Sequence, residues 1–176
     1  MRKNIIITGI PRSGKSTILK KIIQKIYHKV GFVANEVCKD GERVGFELEN
    51  HKGEKCTLAS VDFQTKFKVS KYFVDIKNLD KMIQSLDKFD KGDFLFLDEI
   101  GQMELFSESF KLLVERYLNS SNIFLATLSK IYTNDFIESI KKRKDIFLIE
   151  ITEKNRNEKE EYIKTLLRKI EKEIFN

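Results

Sequence analysis

The sequence predicts an α/β fold, a three-layer sandwich in which helices cover both faces of a mainly parallel β-sheet. Short apolar runs alternate along the chain with segments of helical amphipathic spacing, which is the pattern of parallel strands joined by crossover helices. A glycine-containing loop also joins the first apolar run directly to the first helical segment. The length of 176 residues fits a single domain over residues 1–176.

The first strand and the first helix follow from the first thirty residues. Asn4–Thr8 is a short apolar run and predicts a buried strand. After the loop, apolar residues recur at helical spacing from Ile18 to Ile26, with lysines on the opposite face, and predict an amphipathic helix. Gly31 is expected to end this helix, because glycine is common just beyond a helix C terminus.

Residues 32–74 predict a small antiparallel β-hairpin excursion. The segment contains three short runs of strand character, namely Phe32–Ala34, Val44–Leu48 and Lys55–Leu58. The pairs Asp40-Gly41 and Lys52-Gly53 separate these runs, and such pairs are typical of hairpin turns. No proline- or serine-rich linker divides the segment from the rest of the chain, so we expect it to be part of the same domain.

The remaining chain returns to alternating helices and strands. Amphipathic spacing predicts helices over Leu79–Phe89, after Ser107 and after Thr133, with Ser107 and Thr133 as the N-terminal caps. Apolar runs predict buried strands, namely Phe94–Leu97, Ile123–Ala126 and Ile146–Ile151. A charged helix with one apolar stripe is expected to end the chain.

The composition predicts a cytoplasmic protein that does not span a membrane. No apolar run approaches the ~20 residues that a transmembrane helix requires, and Ile5–Ile7 is too short for the core of a signal peptide. Cys38 and Cys56 have no CxxC neighbour and are expected to be reduced thiols. The two histidines, His28 and His51, are isolated, which argues against a zinc site.

The charge of the chain favours anionic ligands. The formal net charge is +6, which suits polyanions such as nucleotides. The basic residues are dispersed among 27 acidic ones, and the only tight basic cluster is Lys141–Lys144. Because such a cluster is usually a solvated helix end, we do not expect nucleic-acid binding. We expect a monomer, with an oligomer as the open alternative.

The loop between the first strand and the first helix matches the pattern G-x-x-x-x-G-K-[ST] at every fixed position. Its residues are Gly9, Ile10, Pro11, Arg12, Ser13, Gly14, Lys15 and Ser16. Between a strand and a helix, such a loop curls its backbone N–H groups around phosphate oxygens. Lys15 is expected to reach the β- and γ-phosphates, the Ser16 hydroxyl to ligate Mg²⁺, and Thr17 to donate to the α-phosphate. The sequence therefore predicts a site for a nucleoside triphosphate with Mg²⁺.

Two acidic residues follow the apolar run Phe94–Leu97. A strand there would deliver Asp98 to the carboxyl edge of the sheet beside the phosphate-binding loop, where Asp98 is expected to hold Mg²⁺ through a water ligand. Glu99 then lies where a general base or a water-positioning group is required. The combination predicts hydrolysis of the triphosphate, with Lys15 and Glu99 as catalytic residues and Ser16 and Asp98 at the metal.

Several segments together resemble the nucleoside-triphosphatases of the THEP1 type. They are the phosphate-binding loop, Gly31–Val37, Gly41–Phe46, Asp98–Leu105 and the pair Asn155-Arg156. The resemblance extends from Ile5 to about Arg156, and its most specific part is the block D-E-I-G-Q-M-E-L that begins at Asp98.

The resemblance implies a RecA-like or kinase-like P-loop fold and slow hydrolysis of several nucleoside triphosphates to the diphosphate and phosphate. It implies that nucleotide is bound by the phosphate-binding loop and by a second segment, consisting of Phe94, Leu95, Phe96, Leu97, Asp98, Glu99, Ile100 and Gly101. It also places Asn155 and Arg156 where P-loop folds often meet the base.

Two positions depart from the family pattern. The family usually has glycine where this chain has Arg12, so we expect a backbone without a strongly positive φ there. The Arg12 side chain either contacts the γ-phosphate or, as we prefer, points into solvent. The usual lysine of the family is Gln102 here, which argues against a cationic role at that position. Arg43, Arg116 and Arg156 stay open as an arginine finger, and because an absent finger costs ~10³–10⁵ in rate, slow turnover is predicted.

Three other functions stay open. A nucleotide or small-molecule kinase uses the same type of loop, and Glu36 or Arg43 would then contact the phosphoryl acceptor. A regulatory GTPase is less favoured, because no [NT]-K-x-D base-reading sequence follows the later strands. A nucleotide-sensing or nucleic-acid-binding module would bind nucleotide without turnover and would use Lys141–Lys144.

Overall fold

The computed structural model describes residues 2–175, so Met1 and Asn176 of the predicted domain lie outside the described residues. The strands are β1 (Asn4–Gly9), β2 (Lys29–Lys39), β3 (Glu42–Asn50), β4 (Lys55–Ser60), β5 (Lys68–Val69), β6 (Tyr72–Val74), β7 (Phe94–Ile100), β8 (Phe124–Ser129) and β9 (Ile146–Glu150). The helices are α1 (Lys15–Ile23), α2 (Ile76–Leu86), α3 (Glu108–Asn119), α4 (Asp135–Lys141) and α5 (Arg156–Phe175). A short 3₁₀ turn, Glu104–Phe106, lies between β7 and α3.

The nine strands within residues 2–175 form one mixed sheet in the order β5-β6-β4-β3-β2-β7-β8-β1-β9. The strands β2, β7, β8, β1 and β9 pair with one another in parallel, whereas the pairs β2–β3, β3–β4, β4–β6 and β6–β5 are antiparallel. In this order β8 lies between β1 and β7. The carboxyl ends of these three parallel strands therefore meet at one edge of the sheet, which is where ligands bind in open α/β sheets.

Helices cover both faces of the parallel strands. On one face α2, α3 and α4 pack on a core that includes Leu95 and Leu97 of β7. On the other face α1 and α5 pack on a core that includes Phe94 and Phe96. Successive residues of β7 enter opposite cores because side chains alternate along a strand. The prediction of an α/β three-layer sandwich is confirmed.

The predicted end of the first helix is wrong. Helix α1 ends at Ile23, and Gly31 lies inside strand β2, where it pairs with Phe96 of β7. A Cβ atom at Gly31 would lie 1.9 Å from the carbonyl oxygen of Phe96. Glycine is required here because the two strands approach closely, and a helix-capping glycine gives the same signal in a sequence.

The predicted hairpin strands are confirmed within residues 32–74. The turn between β2 and β3 contains Asp40 and Gly41, with φ values of 52° and 80°. The turn between β3 and β4 is closed by a hydrogen bond from the Gly53 amide to the Asn50 carbonyl, at 3.0 Å. Strand β2 belongs to both halves of the sheet, because its first residues pair with β7 and its later residues with β3.

One of the two predicted helix caps is confirmed and the other is wrong. Ser107 caps α3, and its hydroxyl oxygen accepts a hydrogen bond from the Phe110 amide at 3.0 Å. Helix α4 is capped by Asn134, whose side-chain oxygen accepts from the Ile137 amide at 2.9 Å. The neighbouring Thr133 hydroxyl donates instead to the Glu138 carboxylate. Thr and Asn both favour this position, and Asn is the slightly stronger cap.

The basic cluster and Cys38 are at the surface, whereas Cys56 is partly buried against the core. Lys141 pairs with Glu138 and Arg143 with Asp145, so half of the basic cluster is engaged in local ion pairs. Cys38 and Cys56 are both free thiols. No helix within residues 2–175 is long and apolar enough to cross a membrane.

Candidate active site

The phosphate-binding loop connects β1 to α1 and depends on two glycines. A Cβ atom at Gly9 would lie 2.5 Å from the Ile151 carbonyl oxygen and 2.6 Å from the Ser13 hydroxyl. Gly14 has φ 104°, a conformation that other residues rarely adopt. Helix α1 then begins at Lys15 without a capping side chain. Its first N–H groups therefore need an acceptor, which an anionic ligand can supply.

The expectation for the Arg12 backbone is wrong. Arg12 has φ 64°, within the left-handed region that its family glycine would adopt without strain. The curl of the loop imposes this conformation, and the arginine side chain escapes a clash because it is exposed at the mouth of the cleft. For an L-residue this backbone costs about 1–2 kcal/mol.

Lys15 is buried at the floor of the loop, with 6% of its surface exposed. Its ammonium donates hydrogen bonds to the carbonyl oxygens of Gly9, at 2.9 Å, and Ile10, at 3.1 Å. It also lies 3.7 Å from Oε2 of Glu99. The lysine therefore carries its charge into the loop and toward the end of β7.

Asp98 lies near the end of β7 and is 1% exposed. Its Oδ1 accepts hydrogen bonds from the Ser16 hydroxyl, at 2.8 Å, and from the Thr127 hydroxyl, at 2.5 Å. Its Oδ2 is buried and has no hydrogen-bond partner among the described residues. Burial raises the pKa of the Asp98 carboxyl, and the hydrogen bonds from Thr127 and Ser16 oppose that shift.

Two residues of this cluster were missed by the sequence interpretation. Thr127 lies on the intervening strand β8 and bridges to Asp98, and a threonine inside an apolar run carries no signal of that contact. Glu104 lies in the 3₁₀ turn and is 6% exposed at the cleft. Burial and then the charge of Glu99 raise the pKa of Glu104 to about 8. Glu104 lies within the block D-E-I-G-Q-M-E-L, but the interpretation gave it no role, because its position in the sequence does not indicate burial.

Glu99 is half-buried beside Lys15 and directs its carboxylate into the cleft. Burial raises the pKa of Glu99, the positive charge of Lys15 lowers it, and the negative charge of Asp98 raises it further. A carboxylate with a raised pKa is suited to accept a proton near neutral pH.

These residues line one cleft of about 360 Å³ that opens at the carboxyl edge of the sheet. Seven of the predicted site residues meet there, namely Gly9, Pro11, Arg12, Lys15, Ser16, Asp98 and Glu99. From these residues the cleft extends along the hairpin strands to Glu36, Arg43 and Phe46. The space is large enough for the phosphates and a reacting water beyond them.

Other predicted site residues lie away from this cleft. The side chains of Phe94, Leu95, Phe96, Leu97 and Ile100 are buried in the two cores, so they position Asp98 and Glu99 from behind. Gly101 is buried between Glu99 and Glu104, Ser13 is buried in the loop, and Ile10 is exposed.

Asn155 and Arg156 face two different surfaces. Arg156 borders a second cavity with Gly14 and Thr17, beside the start of α1. The Asn155 side-chain oxygen accepts from the Thr152 amide at 2.8 Å, and its amide group donates to the Glu150 carbonyl at 3.2 Å. Of this pair, only Arg156 lies next to the phosphate-binding loop.

The three candidate arginine fingers occupy different places. Arg43 lines the cleft, but its guanidinium donates to the Tyr72 hydroxyl at 2.9 Å and pairs with Glu36 at 2.5 Å. Arg116 of α3 pairs with Asp87, the residue that ends α2, and does not line the cleft. Within residues 2–175, Arg43 is therefore held by protein partners, and Arg156 borders the second cavity and not the cleft that Glu99 lines.

Comparisons with known proteins give a consistent result. A family model described as NTPase matches residues 4–164. The chain is 39% identical to the nucleoside-triphosphatase THEP1 of Thermotoga sp. (strain RQ2) over 155 residues, which are 87% of this chain and 88% of the relative. It is 34% identical to the THEP1 of Natranaerobius thermophilus (strain ATCC BAA-1301 / DSM 18059 / JW/NM-WN-LF), with 97% and 98% of the two chains covered.

Two solved structures share the fold. The crystal structure of THEP1 from the hyperthermophile Aquifex aeolicus aligns with a TM-score of 0.82 at 32% identity, covering 93% of this chain and 98% of that one. The solution structure of a human cancer-related nucleoside triphosphatase aligns with a TM-score of 0.79 at 27% identity, covering 95% and 98%. The chain therefore belongs to the NTPase family and is an enzyme of the THEP1 nucleoside-triphosphatase type.

Proposed function

We propose that the chain hydrolyses ATP, GTP and other nucleoside triphosphates to the diphosphate and phosphate, with Mg²⁺ and at slow turnover. One observation carries the proposal. The Ser16 hydroxyl and the buried Asp98 carboxylate, from two separate elements, lie 2.8 Å apart beside Lys15 and Glu99. This arrangement supports the assignment of a metal-binding pair, a cation and a candidate base around one cleft.

The residues fit Mg²⁺. The unpartnered Oδ2 of Asp98 is a buried anionic oxygen, and an orphaned buried carboxylate oxygen is costly unless a cation or water satisfies it. Ser16 and Asp98 supply the hard oxygen atoms that Mg²⁺ prefers, so they would hold the ion directly and through water. When bound, Mg²⁺ would supply positive charge to the β- and γ-phosphate oxygens.

The remaining roles follow from charge and position. The backbone N–H groups at the start of α1 bind the phosphates, and Lys15 stabilises the negative charge that develops on the β,γ-bridge. Glu99 accepts a hydrogen bond from the attacking water and aligns it with the γ-phosphorus. No covalent intermediate is required, so positioning and electrostatics supply most of the rate.

The positions of two candidate arginine fingers, Arg43 and Arg156, support slow turnover. The guanidinium of Arg43 is already bonded to Glu36 and Tyr72, and Arg156 faces the second cavity. Neither stands free at the γ-phosphate end of the cleft. A missing arginine finger lowers the rate by ~10³–10⁵.

The test measures phosphate release from ATP, GTP, CTP and UTP with Mg²⁺, without any acceptor. Wild type is compared with Glu99→Gln, Lys15→Ala and the matched control Glu108→Gln, an exposed glutamate at the start of α3. We expect wild type to release phosphate from several nucleotides, and the Glu108→Gln control to do the same. Glu99→Gln should lose phosphate release but keep nucleotide binding. Lys15→Ala should show weaker phosphate release and weaker nucleotide binding. Binding without release from any nucleotide would overturn the proposal.

The kinase alternative is distinguished by adding acceptors. A nucleotide or small-molecule kinase would release little phosphate alone and would transfer it when nucleosides or monophosphates are supplied. Its acceptor would occupy the part of the cleft near Glu36 and Arg43. The names of the relatives favour water as the acceptor. The monomeric state, the cytoplasmic location and the absence of nucleic-acid binding stay predictions from the sequence.

A further inference from the structure

A second cavity, of about 230 Å³, lies beside the phosphate-binding loop, at the seam between α1 and α5. Its walls include Thr17 and Lys21 of α1 and Arg156 and Glu160 of α5. The cavity is smaller than the roughly 300–1,000 Å³ of pockets that enclose a whole drug-sized ligand. It therefore suits one part of a nucleotide, with the phosphates left to the loop.

The start of α1 contributes to both cavities. The Ser16 hydroxyl is bonded to Asp98 at 2.8 Å, and Ser16 lines the cleft. Thr17, the next residue, borders the second cavity instead, because successive residues of a helix are rotated by about 100°. A nucleotide whose γ-phosphate lies at Glu99 therefore extends along the loop, with its α-phosphate and its nucleoside on the side of Thr17.

The Arg156 side chain lies against the loop with its charge unpaired. A Cβ atom at Gly14 would lie 3.5 Å from Cδ of Arg156, so the arginine stem packs beside the loop. Within residues 2–175 its guanidinium forms no ion pair, whereas those of Arg43, Arg116 and Arg143 do. A planar guanidinium stacks on the faces of aromatic rings, and every nucleobase has such a face.

The polar groups around this guanidinium do not favour one base. Both polar groups of the Asn155 side chain are bonded to neighbouring backbone groups. The Glu160 carboxylate is held by two lysines, Lys21 at 3.0 Å and Lys164 at 2.8 Å. The Asn157 amide, which also lines the cavity, can both donate and accept, so it matches no single base. A base bound here by its face, without a selective contact to its edge, is bound alike in all four nucleotides.

We propose that the second cavity is the nucleoside subsite, in which the base lies flat against the Arg156 guanidinium. The inference deepens the proposed function and rests on it, since it requires the γ-phosphate to lie at Glu99. It accounts for the proposed range of nucleotides with a single site. It also assigns Arg156 to the affinity for the nucleoside, so this residue does not act on the γ-phosphate.

The first test measures dissociation constants, with Mg²⁺, for the β,γ-methylene analogues of ATP, GTP, CTP and UTP and for inorganic triphosphate, which has no nucleoside. In Arg156→Ala we expect all four analogues to bind about 3- to 30-fold more weakly, the range for a cation over an aromatic ring. Inorganic triphosphate should bind within about twofold of wild type. Arg168→Ala, at an exposed position later on α5, is the matched control and should bind every ligand as wild type does.

The second test asks whether the base lies instead at the hairpin end of the cleft, which Phe46 lines. Phe46→Leu keeps an apolar side chain there but removes the aromatic face. We expect it to leave the dissociation constants of the four analogues unchanged. A loss of nucleotide affinity in Phe46→Leu, with inorganic triphosphate unaffected, would place the base in the cleft and overturn the inference.

Three results in Arg156→Ala would also overturn it. Equal weakening of inorganic triphosphate and the nucleotide analogues would assign the arginine to a phosphate. Weakening for one base alone would indicate that an edge is read, and unchanged binding of all four analogues would remove the contact. Because the analogues are not hydrolysed, the proposed function fails by a separate result, which is binding of the natural nucleotides by wild type without phosphate release.

Discussion

Arg12 combines a left-handed backbone with an exposed side chain at the mouth of the cleft. Glycine would adopt φ 64° without the cost of about 1–2 kcal/mol that a Cβ atom brings, but it would lose about 0.5–1 kcal/mol through chain entropy. We therefore expect Arg12→Gly to raise the free energy of unfolding by about 0.5–1 kcal/mol. Urea denaturation at neutral pH measures this difference.

Phosphate release by Arg12→Gly tests whether the Arg12 side chain contacts the nucleotide. If Arg12 points into solvent, turnover stays within about twofold of wild type, whereas a tenfold loss would assign it to the γ-phosphate. Lys39→Gly, in the ordinary extended backbone of β2, is the control and should lose stability by about 0.5–1 kcal/mol.

The buried Glu104 carboxyl group should make the folded protein less stable as the pH rises. Burial raises its pKa in the folded protein from 4.5 to about 8. Between these values the folded chain keeps a proton that the unfolded chain releases, so rising pH favours the unfolded state. Glu104→Gln removes this dependence, because glutamine does not titrate. Between about pH 5 and about pH 8, we expect the free energy of unfolding of Glu104→Gln to rise by roughly 2–4 kcal/mol relative to that of wild type. This follows because each tenfold change in proton affinity corresponds to about 1.4 kcal/mol.

The measurement is urea denaturation of both proteins at the two pH values, with a chelator present. The other titrating groups, including Asp98 and Glu99, are common to both proteins and largely cancel in the comparison. Glu108→Gln, at an exposed position, should follow the wild-type curve. Parallel curves for wild type and Glu104→Gln would contradict a buried neutral carboxyl group.

Strand β8 lies between the strand that leads into the phosphate-binding loop and the strand that carries Asp98, the proposed metal ligand. It lies between β1 and β7, and its Thr127 hydroxyl supports Oδ1 of Asp98 at 2.5 Å. Thr127→Val keeps the branched shape of the side chain but removes the donor. We expect a 10- to 100-fold weaker response to Mg²⁺, because partners that orient metal ligands contribute about that much to metal affinity or activity. A titration of phosphate release against Mg²⁺ measures the change.

Thr127→Ser is the matched control for this strand, because it keeps the hydroxyl and loses only a methyl group. Its Mg²⁺ requirement should stay within about threefold of wild type, with a small loss of stability from the deleted methyl group. An unchanged Mg²⁺ requirement in Thr127→Val would show that Ser16 alone is sufficient to hold Asp98.

The elements differ in how far the sequence predicts them. Strands such as Asn4–Gly9 and Phe94–Ile100 are predicted because a strand covered on both faces must be apolar along its length. The residues of the loop are predicted because phosphate binding constrains neighbouring backbone positions. Gly31 and Thr127 are not predicted, because their roles depend on strands that are distant in the sequence. Residue spacing describes one segment at a time, whereas the strand order that brings β8 to Asp98 is a property of the whole chain.

At the scale of the whole molecule, β2 joins the parallel half of the sheet to the antiparallel half. Strand β2 pairs with β7 on the parallel side and with β3 on the antiparallel side, and one core includes residues from both halves. Neither half can lose this strand without exposing that core to water. We therefore expect the chain to unfold as one domain, in a single transition whose calorimetric and van't Hoff enthalpies agree.

A bound nucleotide provides the sharper form of this prediction. It would contact residues at one edge of the sheet, yet in a single cooperative unit it stabilises every strand equally. In Glu99→Gln, which should bind without hydrolysis, a nucleotide with Mg²⁺ at 100 times its Kd should add about 2.7 kcal/mol. For a chain of this size that corresponds to a rise of roughly 5–10 °C in the whole transition. Lys15→Ala should show a much smaller rise at the same nucleotide concentration. Two transitions, of which the nucleotide moves only one, would mean that the hairpin strands β3–β6 unfold as a separate unit.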